Sequence, residues 1–271
     1  PTTLAQALAL RAAHPHATLL AGGTDLAVEH NQDGRRHAHW LALGAVRELM
    51  AITAHDDGYT LGAAATWGAV GWRLGAEVPL FAQLVPLFAS PAIRARATVG
   101  GNLATASPVG DGAPVLLALD ARVELASASA RRVLPLRDWF VGYRRTALGA
   151  DELLVAVHVP RVPPTFARFY KVSKRELDDI SSVSAAIAVW LDGGRVVRAN
   201  FAFGGVAPTP VLADAIGQAL VGRALDAAAL AECRRLVRAA FAPIDDVRAS
   251  AAYRAAMLES LLAKFWYEVA P

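Results

Sequence analysis

Two glycine pairs are the residues of this sequence best suited to holding a ligand. The first lies in Leu19-Leu20-Ala21-Gly22-Gly23-Thr24-Asp25-Leu26. The second, about eighty residues on, lies in Thr98-Val99-Gly100-Gly101-Asn102-Leu103 and continues through Ala106-Ser107-Pro108 to Asp111. Paired glycines let a backbone turn tightly and approach an anion closely, so that successive N–H groups form a nest for phosphate oxygens. Thr24 and Asn102 add side-chain hydrogen bonds, while Asp25 and Asp111 accept from hydroxyls or an amine. Two such loops suit a pyrophosphate approached from both sides, as in a dinucleotide. Gly-Gly also makes ordinary turns, and on these residues alone both readings stay open.

Other chemistries are harder to place. None of the lysines Lys171, Lys174 and Lys264 follows a glycine, so there is no G-x-x-x-x-G-K-[ST] loop, and Gly110-Asp111-Gly112 lacks the third glycine of G-x-G-x-x-G. No G-x-S-x-G elbow occurs. His14-Pro15-His16 and His37-Ala38-His39 have no H-E-x-x-H or nearby cysteine, so they read as exposed loop histidines and no metal site is expected. The single Cys233 allows no internal disulfide, Cys₄ zinc site or iron–sulfur cluster, and reads as a packing residue.

The 271 residues, 55% apolar and 19% charged with a mean hydropathy of +0.34, exclude a disordered chain. The longest uncharged stretch, Val78 to Ile93, falls short of the ~18 residues of a membrane span and carries Pro79, Pro86 and Pro91. The net charge of +3 is spread over scattered arginine pairs, with no run that would mark a nucleic-acid surface. A soluble, cytoplasmic protein with neither nucleic-acid nor membrane partners is expected. Pro1-Thr2-Thr3 shows no signal peptide, and a chain opening on Pro is expected to be processed or cut from something longer.

The elements that must position the glycine loops follow from pattern. Thr3-Leu4-Ala5-Gln6 reads as a capping box opening a helix that Pro15 stops. Strands are expected at Thr18 to Ala21, His39 to Leu43, Ile52-Thr53 and Tyr59 to Leu61, and near Val123 and Val155 to Val157. Helices are expected at Trp67 to Leu74 and Phe81 to Phe88, with an apolar helix ending near Leu119. Pro160-Arg161-Val162-Pro163-Pro164 breaks both helix and sheet and marks a domain boundary. Beyond it, strands at Phe166 to Lys174, Ser181 to Leu191 and Arg195 to Phe203 precede helices at Val211 to Leu220, Leu225 to Phe241 and Ser250 to Trp266. In the last helix, Tyr253, Met257, Leu261 and Phe265 read as a core stripe. The fold class is α+β in two domains.

The two glycine strings, taken with their spacing, resemble the FAD-binding domain of the molybdenum hydroxylases. Tyr170-Lys171-Val172-Ser173-Lys174-Arg175 with Asp178-Asp179-Ile180-Ser181 sharpens the resemblance toward xanthine dehydrogenase, in particular the bacterial small subunit. Gly204-Gly205-Val206-Ala207-Pro208-Thr209-Pro210 and Asp246-Val247-Arg248-Ala249-Ser250-Ala251-Ala252-Tyr253-Arg254 agree. The resemblance covers essentially the whole chain. It implies a vanillyl-alcohol-oxidase (PCMH) type FAD-binding fold over residues 1–162, in subdomains of about 1–54 and 55–162. A C-terminal domain like that of the CO dehydrogenase flavoprotein, a small antiparallel sheet with helices, follows over 163–271.

The same resemblance implies the site. Leu19, Leu20, Ala21, Gly22, Gly23, Thr24, Asp25 and Leu26 would line FAD. Thr98, Val99, Gly100, Gly101 and Asn102 would cradle its phosphates, and Asp111, Phe88, Leu154 and Lys171 are further contacts. The more polar segment Ala27 to Gly34 departs from the family pattern. No catalytic acid or base is expected. Electrons would leave a purine at a molybdenum cofactor, pass through 2Fe-2S clusters, reduce FAD here and then reduce NAD. Clusters and molybdenum would sit on an iron–sulfur domain and a molybdenum-cofactor subunit, on other domains or chains. The charged run Lys174-Arg175-Glu176 with Asp178-Asp179 either tunes nicotinamide access and flavin potential by its field or is a solvated turn. Three other readings stand beside this one. They are the FAD subunit of a carbon monoxide or aldehyde dehydrogenase relative, a reductase like the one acting on UDP-N-acetylglucosamine enolpyruvate, and a module that holds partner subunits without flavin.

Overall fold

The computed structural model describes residues 1–269. It begins with α1 (Leu4–Ala13), β1 (Thr18–Leu20), α2 (Thr24–Gln32), β2 (Trp40–Ala42) and α3 (Arg47–Met50). Thr3 caps α1 by accepting from the Gln6 amide, and the Gln6 side chain reaches back to the Thr2 amide rather than to Thr3. β1 and β2 pair in parallel, and their apolar faces pack with α1 and α3 around Ala7, Leu8, Leu41, Val46 and Leu49.

The next segment holds β3 (Ile52–Ala54), β4 (Gly58–Gly62), α4 (Trp67–Leu74), α5 (Pro79–Leu87), α6 (Pro91–Arg94), α7 (Val99–Ala104) and α8 (Gly112–Ala118). It continues with β5 (Arg122–Ala126), β6 (Arg131–Pro135), β7 (Phe140–Gly142), β8 (Arg145–Thr146) and β9 (Leu153–Pro160). Its five-stranded antiparallel sheet runs β3-β4-β9-β5-β6. Pattern reading missed β6, whose Arg131, Arg132 and Val133 are exposed on an edge and show no alternation. It also missed α2, which buries none of its side chains and so carries no apolar period.

Residues 161–164 carry no regular structure, and β10 (Phe166–Val172), β11 (Val183–Asp192), β12 (Arg195–Gly204) and β13 (Val211–Leu212) then form a second antiparallel sheet in that order. β13 replaces the start of the helix expected from Val211, because Val211 and Leu212 pair with Phe203 and Ala202 at the sheet edge. The helices α9 (Asp214–Leu220), α10 (Ala227–Ala240) and α11 (Ala251–Val269) follow. The buried face of α11 runs through Arg254, Leu258, Leu261, Leu262 and Phe265, and Tyr253 lies outside it at 45% exposed.

The alternation of β11 decides how the two halves join. Ala186 and Ala188 face the first half, with Phe169 and Ala202 beside them, whereas Ala185, Ile187 and Val189 face the C-terminal helices. Alanines on one face let α8 approach closely, and every residue of α8 is buried. A helix buried all round has no water for its end groups, so its last carbonyls need protein donors. Asn200 on β12 supplies one, its Nδ2 donating to the Ala118 carbonyl at 2.9 Å. Cys233 is fully buried in α10 against Ala229 and Val237, with burial pushing its thiol up to about 12. Asn200→Ala strands that carbonyl and is expected to cost about 1–3 kcal/mol in urea unfolding. An unchanged midpoint would show that the bond carries no weight.

Candidate functional site

A cleft of about 1630 Å³ runs between the two sheet systems and ends against the C-terminal half. All the residues expected at the site line it except Leu20 and Val99, which sit behind it in β1 and α7. Its size exceeds the roughly 300–1000 Å³ of a drug-sized pocket and suits an extended ligand.

The first glycine loop is the turn from β1 into α2. Gly22 is obligatory, because a Cβ there would lie 2.0 Å from the Arg96 carbonyl oxygen. Gly23 sits at φ 76° and opens α2 without a side-chain cap. Among the described residues no protein acceptor reaches the backbone N–H groups from Gly22 to Leu26. The N–H groups of Gly23 to Leu26 form the positive end of α2, and with Gly22 these residues line the cleft, an arrangement that binds phosphate oxygens. Asp25 does not fill this place. Its Oδ2 accepts from the Thr105 hydroxyl at 3.0 Å, which ties α2 to the end of α7.

The second loop is built differently from the nest expected of it. Val99 and Gly100 donate their N–H groups to the Ala65 and Ala63 carbonyls at 2.9 and 2.8 Å. Gly101 donates to the Thr98 Oγ1 at 3.0 Å. These donors are already used, so besides the Thr98 amide, for which no protein acceptor is found among the described residues, this loop can meet an anion only through side chains. Gly100 serves close packing, since a Cβ would lie 2.6 Å from Ala63. Asn102 Oδ1 is buried without a partner among the described residues.

The floor of the cleft is a charge pair. Lys171 and Asp111 are 3% and 8% exposed, with Lys171 Nζ 2.9 Å from Asp111 Oδ2 and 3.0 Å from the Leu87 carbonyl. The Ser181 hydroxyl donates to the other Asp111 oxygen. Burial pushes the Asp111 carboxyl above its ordinary value, and Lys171 and Ser181 pull the opposite way. Phe88 packs against Trp67 with ring centres 5.5 Å apart, and the next residue, Ala89, holds φ 46° at the cleft wall. Strained backbone of this kind is found where surrounding structure fixes a functional surface.

In the charged loop, Asp178, Asp179 and Ile180 line the cleft, while the Arg175 side chain is 71% exposed and bonded within the loop to Asp179 and the Asp178 carbonyl. Sequence reading placed several lining residues in resembling strings without assigning them to the site: Gly205 to Pro208, Asp246, Arg248 and Arg254. The aliphatic lining at Leu43, Leu49 and Ala64 and the hairpin tip Tyr143-Arg144 gave no signal, because nothing in their types marks a ligand.

Residues 1–162 match the family model described as the FAD binding domain in molybdopterin dehydrogenase, and 168–269 match the CO dehydrogenase flavoprotein C-terminal domain. The chain belongs to this family of FAD-binding proteins, the flavin-carrying part of molybdenum hydroxylase oxidoreductases, and FAD is its cofactor. It is 33% identical to the carbon monoxide dehydrogenase medium chain of Afipia carboxidovorans, over 97% of this chain and 92% of that one. It is 31% identical to a putative xanthine dehydrogenase FAD-binding subunit of Escherichia coli, over 97% and 91%. It also aligns at 34% identity with the xanthine dehydrogenase of Drosophila subobscura, but spans 22% of that longer protein. Among solved structures, cyanide-inactivated Cu,Mo-CO dehydrogenase superimposes with a TM-score of 0.91 at 32% identity, covering 98% of this chain and 94% of the other. No helix among the described residues is long and apolar enough to cross a membrane.

The residues present fit FAD: free N–H donors for its diphosphate, a glycine approach that a side chain would block, and a cleft of sufficient length. Lys171→Met leaves a buried carboxylate without its ammonium and is expected to lower stability by about 3–5 kcal/mol. The double variant Lys171→Met/Asp111→Leu recovers most of that loss. Additive losses in chemical denaturation would show that the two groups are not coupled.

Proposed function

We propose that this chain is the FAD-binding electron-transfer portion of a xanthine dehydrogenase, taking electrons from iron–sulfur clusters and passing them to NAD during oxidation of hypoxanthine or xanthine. The row of unsatisfied N–H groups at the start of α2, facing a cleft closed by Lys171 and Asp111, is the observation that carries the flavin reading. The string from Tyr170 to Ser181 carries the xanthine reading. FAD supplies the ability to accept electrons singly and release them as a pair.

The chain's own residues bind and orient. Gly22 to Leu26 hold the diphosphate, Asn102 and Thr98 approach it with side chains, and the aliphatic wall of Leu19, Leu43, Leu49 and Ala64 suits an adenine. Phe88, Leu154, Asp111 and Lys171 line the rest, and Asp178 to Ile180 border the end where an acceptor would enter. Residues 1–162 form the flavin-binding unit and 163–271 its C-terminal companion. With one cysteine in the chain, the clusters belong to an iron–sulfur domain and the molybdenum cofactor to a further subunit, in a cytoplasmic assembly. A carbon monoxide dehydrogenase type of assembly is the second reading, favoured by the 33% identity to a medium chain of that enzyme.

Titration of the purified chain with FAD is expected to give flavin absorption bands that remain after gel filtration. Gly22→Val, which drives the loop away from Arg96, is expected to abolish them. A wild-type chain that takes up no flavin would defeat the proposal. In the assembled enzyme, NAD reduction with xanthine and none with carbon monoxide separates the two readings.

A further inference from the structure

Residues 241–250 connect α10 to α11 without regular secondary structure, yet they wall the cleft through Ala242, Pro243, Ile244, Asp246 and Arg248. A segment with no ladder or helix of its own must have its path fixed by side chains. Arg254, near the start of α11, supplies the main anchor with a side chain only 3% exposed. Its Nη2 donates to both Asp246 oxygens at 2.8 Å, and its Nη1 donates to the Ile244 carbonyl at 3.3 Å.

Asp246 passes this hold on to the backbone. Its Oδ1 accepts from the Arg248 and Ala249 amides at 2.8 and 3.2 Å. Burial opposes its ionisation, but Arg254 and the two amides outweigh burial and hold the carboxyl below its ordinary value. On either side, Asp245 accepts from the Ala251 amide and Ser250 from the Tyr253 amide, so the segment caps the positive end of α11. Lys174 donates to the Val247 carbonyl at 3.0 Å, joining the segment to the loop whose Asp178 and Asp179 line the cleft beside it. Arg254 itself reaches the cleft, and its Nε is buried without a partner among the described residues.

We propose that Arg254 is a positioning residue for the flavin site, holding the 241–250 strap against the bound cofactor through Asp246. The inference rests on the FAD reading given above. With Nη2 on the Asp246 carboxylate and Nη1 on the Ile244 carbonyl, the planar guanidinium fixes two points of the segment at once and so sets how Ile244, Asp246 and Arg248 meet the cleft. The contact closes a wall that the glycine loops cannot supply, because they lie on the opposite part of the chain.

The test compares Arg254→Gln, Asp246→Asn and Arg254→Lys with Arg238→Gln in the full chain. The last variant breaks a different α10–α11 ion pair, with Glu259, away from the cleft. The readouts are FAD dissociation followed by flavin fluorescence, visible circular dichroism of the bound flavin, trypsin cleavage at Arg248, and the melting temperature without FAD. Arg254→Gln and Asp246→Asn are expected to release FAD at least about tenfold faster, to change the flavin dichroism, and to open Arg248 to trypsin. Arg254→Lys, which can keep the charge on Asp246 but not the Ile244 contact, is expected to fall between wild type and Arg254→Gln, and Arg238→Gln leaves all three cleft readouts as in wild type. Unchanged FAD release and dichroism in the first two variants overturn the proposal. So do losses in all four variants that track melting temperature alone. A wild-type chain that binds no FAD instead overturns the underlying reading.

Discussion

A buried charge pair holds the two halves of this protein in register. Lys171 comes from β10, Asp111 from the start of α8, and the pair is completed by the Leu87 carbonyl at the end of α5 and Ser181 before β11. Removing either partner leaves a charge that the surrounding apolar packing cannot solvate, so these four elements are compelled to meet at one point. That point is also the floor of the cleft. The fully buried α8 and the alanine face of β11 follow from the same alignment, since close approach of helix and sheet keeps Asp111 within reach of Lys171.

Two loops of like sequence use their glycines for different ends. In both, one glycine permits two backbones to touch, Gly22 against Arg96 and Gly100 against Ala63. The difference lies in where the N–H groups go. After Gly22 they face the cleft, whereas after Thr98 they meet carbonyls of residues 63 and 65 or the Thr98 hydroxyl. The second loop is therefore a rigid strut against which the first is set, and the directional donors for an anion are concentrated on the first.

Much of this was readable in the sequence where pattern and geometry coincide. The strands either side of Asp57-Gly58, the helix from Trp67 to Leu74 and the long β11–β12 hairpin carry strong apolar patterns with turn residues between them, and each forms. The glycine strings identified the cleft because both loops need a missing side chain. Helix α2 was hidden because it buries nothing. Its polar positions Glu29, Gln32 and Asp33 line the cleft beside the glycine turn, and nothing in their types marked them for it. The second loop's hydrogen bonds were also hidden, because a partner carbonyl thirty-odd residues away leaves no mark on local sequence. The Arg254 anchor lay in a string noted only for resemblance, and its role depends on a fold-back that spacing does not encode.

The lone thiol takes on a different meaning beside a flavin. Reduced flavins exposed to oxygen generate peroxide, and peroxide attacks thiolates. Cys233 lies fully buried in α10 with its ionisation pushed up to about 12, so it offers neither access nor charge to such an oxidant. A flavin-binding chain thus keeps its only sulfhydryl out of reach of such oxidants. The same arrangement leaves its surface chemically silent toward thiol reagents, so a cysteine introduced anywhere on the exterior would be the single point at which a label or a tether attaches.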